Sequence, residues 1–153
     1  MKEYAELYHN VDHSKFDSKT YRQLILPGSQ EGLSKLMEAM LTPGDVVVAE
    51  EYVYPGVICS VEPLDAKFLL VEGDRNGMKP DSLENVLNNW KSNNGRTPKV
   101  IYVCPSGGNP TGATLPVKRR EQIYQIARDH DLLIIEDDPY YFLQFTEVKL
   151  INI

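Results

Sequence analysis

Residues Leu132-Leu133-Ile134-Ile135 form an apolar run that ends abruptly in Glu136-Asp137-Asp138-Pro139-Tyr140-Tyr141. A run this short and this apolar suits a strand buried on both faces, and it carries three carboxyl groups and two phenols to the strand's end. Val46-Val47-Val48-Ala49, Ala66 to Val71 and Val100-Ile101-Tyr102-Val103 have the same character. Helical spacing separates these runs. Leu33, Leu36, Met37 and Met40 predict a helix with Ser29 as N-cap, and Tyr54 to Val61 a second after Pro55. Leu83, Val86, Leu87 and Trp90 predict a third, capped by Asp81 or Ser82, and Ile123, Ile126 and Ala127 a fourth that begins at Pro116. Strands alternating with helices predict an α/β fold: a mostly parallel sheet with helices on both faces, which binds ligands at the carboxyl ends of its strands.

Residues 1–27 carry no periodicity and are expected to form an irregular arm, 28–145 the α/β unit, and 146–153 a tail. His9 and His13 stand four apart in the arm, but without a further ligand they read as solvated side chains, and no metal site is expected. A net charge of -6 offers no footprint for nucleic acid or an anionic membrane. No apolar run is long enough to span a bilayer, and residues 1–6 resemble neither a signal nor a transit peptide. Cys59 and Cys104 show no metal or disulfide pattern, which fits a reducing, cytoplasmic compartment. The expected partner is a small molecule or another protein.

The strand ends carry the chemistry. Gly28-Ser29-Gln30 opens a helix, so its free N–H groups and the dipole's positive end suit a phosphate; plain capping is the alternative. Tyr52 and Tyr54 follow the first strand, for stacking on a planar ring or for packing. Pro105 to Gly112 follows the third; its glycines permit close backbone approach and Asn109 offers both donor and acceptor, although a long turn explains the same residues. Glu136-Asp137-Asp138 can bind Mg²⁺, act as a base, pair with a protonated ring nitrogen, or form a solvated acidic loop. A Mg²⁺-dependent nucleotide enzyme is disfavoured, because the chain has neither a P-loop nor a Gly-x-Gly-x-x-Gly fingerprint.

Asn109-Pro110-Thr111-Gly112 followed by Ile135-Glu136-Asp137-Asp138-Pro139-Tyr140-Tyr141 resembles the class I/II, fold-type I pyridoxal-phosphate-dependent aminotransferases. Within them the chain resembles the kynurenine/α-aminoadipate and fungal aromatic branch, over roughly 28–145. The resemblance implies part of a PLP-binding large domain. Ser29 and Gln30 would give backbone N–H bonds to the cofactor phosphate, and Tyr54 would stack on the pyridine ring. Asn109 and Tyr140 would bond the ring oxygen, with Asn109 also near the substrate carboxylate, and Asp137 would pair with the ring nitrogen. Pro27 and Tyr52 depart from the family's usual residues without removing any of these contacts.

The family's Schiff-base lysine lies downstream of the aspartate strand in a Ser-rich loop, a context that Lys149 lacks. The resemblance therefore implies a fragment of an aminotransferase that exchanges an amino group between an aromatic, kynurenine or 2-aminoadipate-type amino acid and a 2-oxo acid. That fragment is expected to be inactive alone, with no catalytic residue of its own. The intact enzyme would be a homodimer, cytoplasmic or, in a full-length form, mitochondrial. The alternative is a non-catalytic product that pairs with a full-length homologue.

Overall fold

The computed structural model describes residues 24–90 and 96–143. His9, His13, Lys149, most of the expected arm and the tail 146–153 lie outside them. Helix α1 spans Ser29–Met40, strand β1 Val46–Glu50, α2 Pro55–Val61 and β2 Lys67–Val71. Two-residue strands β3 (Gly73–Asp74) and β4 (Gly77–Met78) form a small hairpin where only a turn was expected, and α3 (Pro80–Asn88) follows it. β5 (Val100–Val103), α4 (Val117–Asp129) and β6 (Leu133–Glu136) complete the described fold. β1, β2, β5 and β6 form one sheet in the order β2-β1-β5-β6, and every neighbouring pair is parallel. The expected α/β architecture is the one observed.

Parallel strands covered on both sides need apolar residues in succession, and Val46, Val47, Val48 and Ala49 are all fully buried. Alternation then divides them between two cores. Val47, Val100, Tyr102 and Ile135 pack with Leu33 and Met37 of α1 and Val57 and Val61 of α2. Val48, Ile101 and Val103 pack on the other face with Leu83 and Leu87 of α3 and Ile123 and Ala127 of α4. Helices thus cover both faces, and the site-bearing loops gather at the strands' carboxyl ends.

Two expected caps are corrected. Ser29 is the first helical residue of α1; the N-cap is Gly28, whose φ of 118° and ψ of 166° suit a residue without a Cβ. α3 starts at Pro80 after Lys79, because proline's fixed φ suits the first helical position. Asp81 lies in the first turn, the Ser82 hydroxyl instead accepts the Glu72 N–H at 3.2 Å, and Trp90 falls beyond the helix.

At the opposite sheet edge, Asp45 is fully buried and accepts bonds from Thr42 N–H, Thr42 Oγ1, Arg96 Nη1 and Lys99 Nζ at 2.9–3.0 Å. Burial alone would raise its carboxyl, but the Thr42 amide and the Lys99 and Arg96 cations hold it well below the ordinary range. This end ties β1 to the chain before β5 and leaves the other end for ligand.

Candidate functional site

A cavity of about 210 Å³ opens at the carboxyl ends of the strands, lined by Ser29, Tyr54, Asn109, Asp137, Pro139 and Tyr140. Tyr102 and Cys104, from the end of β5, complete its wall. Five of the six expected cofactor residues therefore meet at one place. Gln30 does not line it: its side-chain amide donates to Gly56 O and Ser60 Oγ, both at 3.0 Å, tying α1 to α2. A Cβ at Gly56 would collide with the Tyr54 ring and the Gln30 side-chain oxygen, so glycine there lets the phenol and that tie lie side by side.

The three acids that end β6 do not act as one cluster. Asp137, 8% exposed, accepts a hydrogen bond at 2.9 Å from the Tyr102 hydroxyl. Asp138 turns the other way and accepts from Ser106 Oγ at 3.1 Å. Burial pushes both carboxyls above their ordinary range. Among the described residues, no group of three or more His, Cys, Asp or Glu side chains converges as a metal site. Burial also raises the Cys104 thiol to about 11, so it faces the cavity as a thiol and not as a nucleophile.

The loop from Pro105 to Gly112 is braced from below. Arg120 of α4 is 1% exposed; its Nε donates to Leu115 O at 2.9 Å and its Nη2 to Pro105 O at 3.0 Å and Ser106 Oγ at 3.3 Å. Higher in the loop, Gly107 N–H donates to Thr114 Oγ1 at 2.9 Å and Gly108 N–H to Ala113 O at 2.7 Å, and the Asn109–Pro110 peptide is cis. Sequence reasoning missed Tyr102, Ser106 and Arg120.

It also missed Glu50, which ends β1 and lines a second cavity of about 240 Å³ beside Gly73, Asp74 and Arg75. Burial raises its carboxyl from the ordinary 4.5 to about 7; Arg119 opposes that shift and Asp74 adds to it. Arg119 holds Asp74 down at about 2 through bonds of 2.7 and 3.1 Å. A carboxyl raised in the folded state stabilises fully below its unfolded value, and that contribution is lost as pH rises through the folded one. The contribution of Glu50 to stability should therefore fall between about pH 4.5 and 7, by about 3 kcal/mol. Glu50→Gln should flatten that part of the curve in urea unfolding; an unchanged curve would mean that Glu50 titrates normally.

Residues 1–150 match the family described as aminotransferase class I and II. The rat mitochondrial kynurenine/alpha-aminoadipate aminotransferase is 45% identical over 128 residues, covering 80% of this chain and 30% of its own length. An aromatic amino acid aminotransferase of Schizosaccharomyces pombe is 38% identical over 94% of this chain and 30% of its own. This chain belongs to the class I and II aminotransferases.

The aminotransferase sheet has solved counterparts. The Pyrococcus horikoshii kynurenine aminotransferase, solved with PMP, superposes with a TM-score of 0.85 at 27% identity over 97% of this chain and 35% of its own. Aro8 of Candida albicans superposes at 0.79 with 32% identity, over 97% of this chain and 30% of its own. The described α/β unit has the architecture of the large domain of these fold-type I enzymes, whose cofactor is pyridoxal 5'-phosphate. The chain spans about three tenths of the length of the curated relatives it matches.

Proposed function

We propose that this aminotransferase chain holds pyridoxal 5'-phosphate in the cavity between Tyr54, Asn109, Asp137 and Tyr140. The observation that carries the reading is the largely buried Asp137 carboxylate, with one oxygen bonded to Tyr102, in a small cavity that also presents a phenol face and a helix start. That donor set fits the cofactor. When bound, it supplies a cationic ring that accepts the electrons released from an amino acid's Cα.

The chain's own residues bind and orient it. An ionised Asp137 beside the ring nitrogen favours the protonated ring, because the pair is attractive where water is scarce. Tyr54 offers its face for stacking, while Asn109 and Tyr140 bond the ring oxygen. The backbone N–H groups of Ser29 and Gln30, in the first turn of a 12-residue helix, suit the phosphate, and Asn109 is also the residue for a substrate carboxylate.

The intact enzyme, on this reading, moves an amino group between an amino acid of the aromatic, kynurenine or 2-aminoadipate type and a 2-oxo acid, as a homodimer. The names of the similar rat and fission-yeast enzymes support the donor class. A cytoplasmic site of action is proposed; a mitochondrial one is the alternative, since the rat relative is mitochondrial. Among the described residues no lysine lines the cavity, so these residues alone hold the cofactor reversibly and do not catalyse transfer.

Titrating the chain with pyridoxal 5'-phosphate should give saturable changes in tyrosine fluorescence and ring absorbance. Dialysis should reverse them, and borohydride should leave the protein's mass unchanged. Binding that never saturates would remove the reading, and a cofactor fixed by borohydride at one lysine would contradict the reversible hold.

A further inference from the structure

We infer that Tyr102 is a positioning residue that fixes the Asp137 carboxylate, engaging Oδ2 and leaving Oδ1 for the ligand. The inference deepens the proposed cofactor site and rests on that reading only for the ligand's identity.

The fold brings the two together through strand register and not through proximity in sequence. They are 35 residues apart, yet Tyr102 of β5 lies opposite Ile135 of β6, and Asp137 N–H donates to Val103 O at 2.9 Å. Backbone and side chain of Asp137 are thus both anchored to β5. Tyr102 is 3% exposed, so its ring is held by the core of α1 and α2 and its hydroxyl has little freedom to leave the 2.9 Å bond. No other described side chain hydrogen-bonds Asp137, and both residues line the cavity.

The bond has a chemical direction. A phenol that stays protonated can only donate to an ionised carboxylate, so it favours the charged form of Asp137. Burial and the neighbouring Asp137 charge keep the Tyr102 hydroxyl far above its ordinary pKa, and that hydroxyl opposes the upward shift that burial imposes on Asp137. A fixed carboxylate plane also spares the ligand the cost of ordering it. Tyr102 thereby acts on the ring through Asp137 without touching it.

The test uses Tyr102→Phe, which keeps the ring and removes only the hydroxyl. Carboxyl ¹³C NMR of the unliganded chain should show Asp137 titrating about one pH unit higher in the variant. Pyridoxal 5'-phosphate should bind about tenfold more weakly near neutral pH, and the loss should shrink as pH rises and Asp137 ionises again. An unmoved Asp137 midpoint, or an affinity loss equal at every pH, would overturn the inference, since a purely structural role predicts that pattern. In the unmutated chain the hydroxyl-bearing carbon of Tyr102 should report a phenol that stays protonated beyond the ordinary tyrosine range; titration within that range would overturn the inference even if the variant does not fold. Failure of the unmutated chain to bind the cofactor would sink the proposed function alone, because both NMR titrations still decide the role of Tyr102.

Discussion

Asp137→Ala is expected to weaken binding of pyridoxal 5'-phosphate about a hundredfold while leaving the unliganded chain nearly as stable as before. Removing one partner of a largely buried charge pair costs about 3–5 kcal/mol, of which the ring recovers a part by releasing its proton. A net loss near 3 kcal/mol corresponds to roughly two orders of magnitude in affinity. Stability moves differently because the Asp137 carboxyl is raised in the folded chain. Its contribution is lost as pH rises through that raised value, so above it the charged side chain gives the empty site little. Above that value the unfolding free energies of the two proteins, from urea titration, should agree to within about 1 kcal/mol. An absorbance titration with unchanged affinity and ring spectrum would refute the role assigned to Asp137.

Arg120→Met should destabilise the chain strongly, by about 3–5 kcal/mol. Methionine fills part of the space but offers no donor, so Leu115 O, Pro105 O and Ser106 Oγ each lose a bond inside the protein. The charge matters as well. Arg120 opposes the burial that raises Asp138, and Ser106 connects the two through its own 3.1 Å bond to Asp138. Small domains have only about 5–15 kcal/mol of stability in total, so the variant should unfold at much lower urea. Arg120→Lys, which keeps the charge and loses the planar fork, should recover only part of the difference. A urea midpoint unchanged in Arg120→Met would show that the loop from Pro105 to Gly112 is held by its own backbone bonds.

The central strands β1 and β5 were legible because burial on both faces leaves no alternative to an unbroken apolar run. By contrast, β2 and β6, at the edges of the described sheet, leave Leu70 and Leu133 exposed and so are not buried on both faces as expected. Val100–Val103 appears with the expected ends, and the final strand differs by one residue, running Leu133–Glu136 where Leu132–Ile135 was expected. Caps were less legible, because a serine's preference for the N-cap is weak beside the backbone freedom of Gly28 or the fixed φ of Pro80. The β3–β4 hairpin escaped notice, since two-residue strands carry no periodicity. Tyr102 reads as core in a strand of four buried residues; its polar partner becomes apparent only once β5 and β6 are aligned. Arg120 lies in Lys118-Arg119-Arg120-Glu121, which reads as a solvated helix face. A signal was nonetheless present: Arg120, Ile123 and Ala127 are spaced three and seven apart, the stripe that α4 buries.

The cavity draws on Ser29, Tyr54, Asn109 and Asp137, each delivered by a different segment of the fold, so it exists only when these distant segments have all come together. Whatever fills it acts as a clasp on the whole unit. A ligand bound only by the folded chain, present at a hundred times its dissociation constant, adds about 2.7 kcal/mol to folding. On the proposed reading, the supply of the cofactor would then help to set how long each copy survives proteolysis.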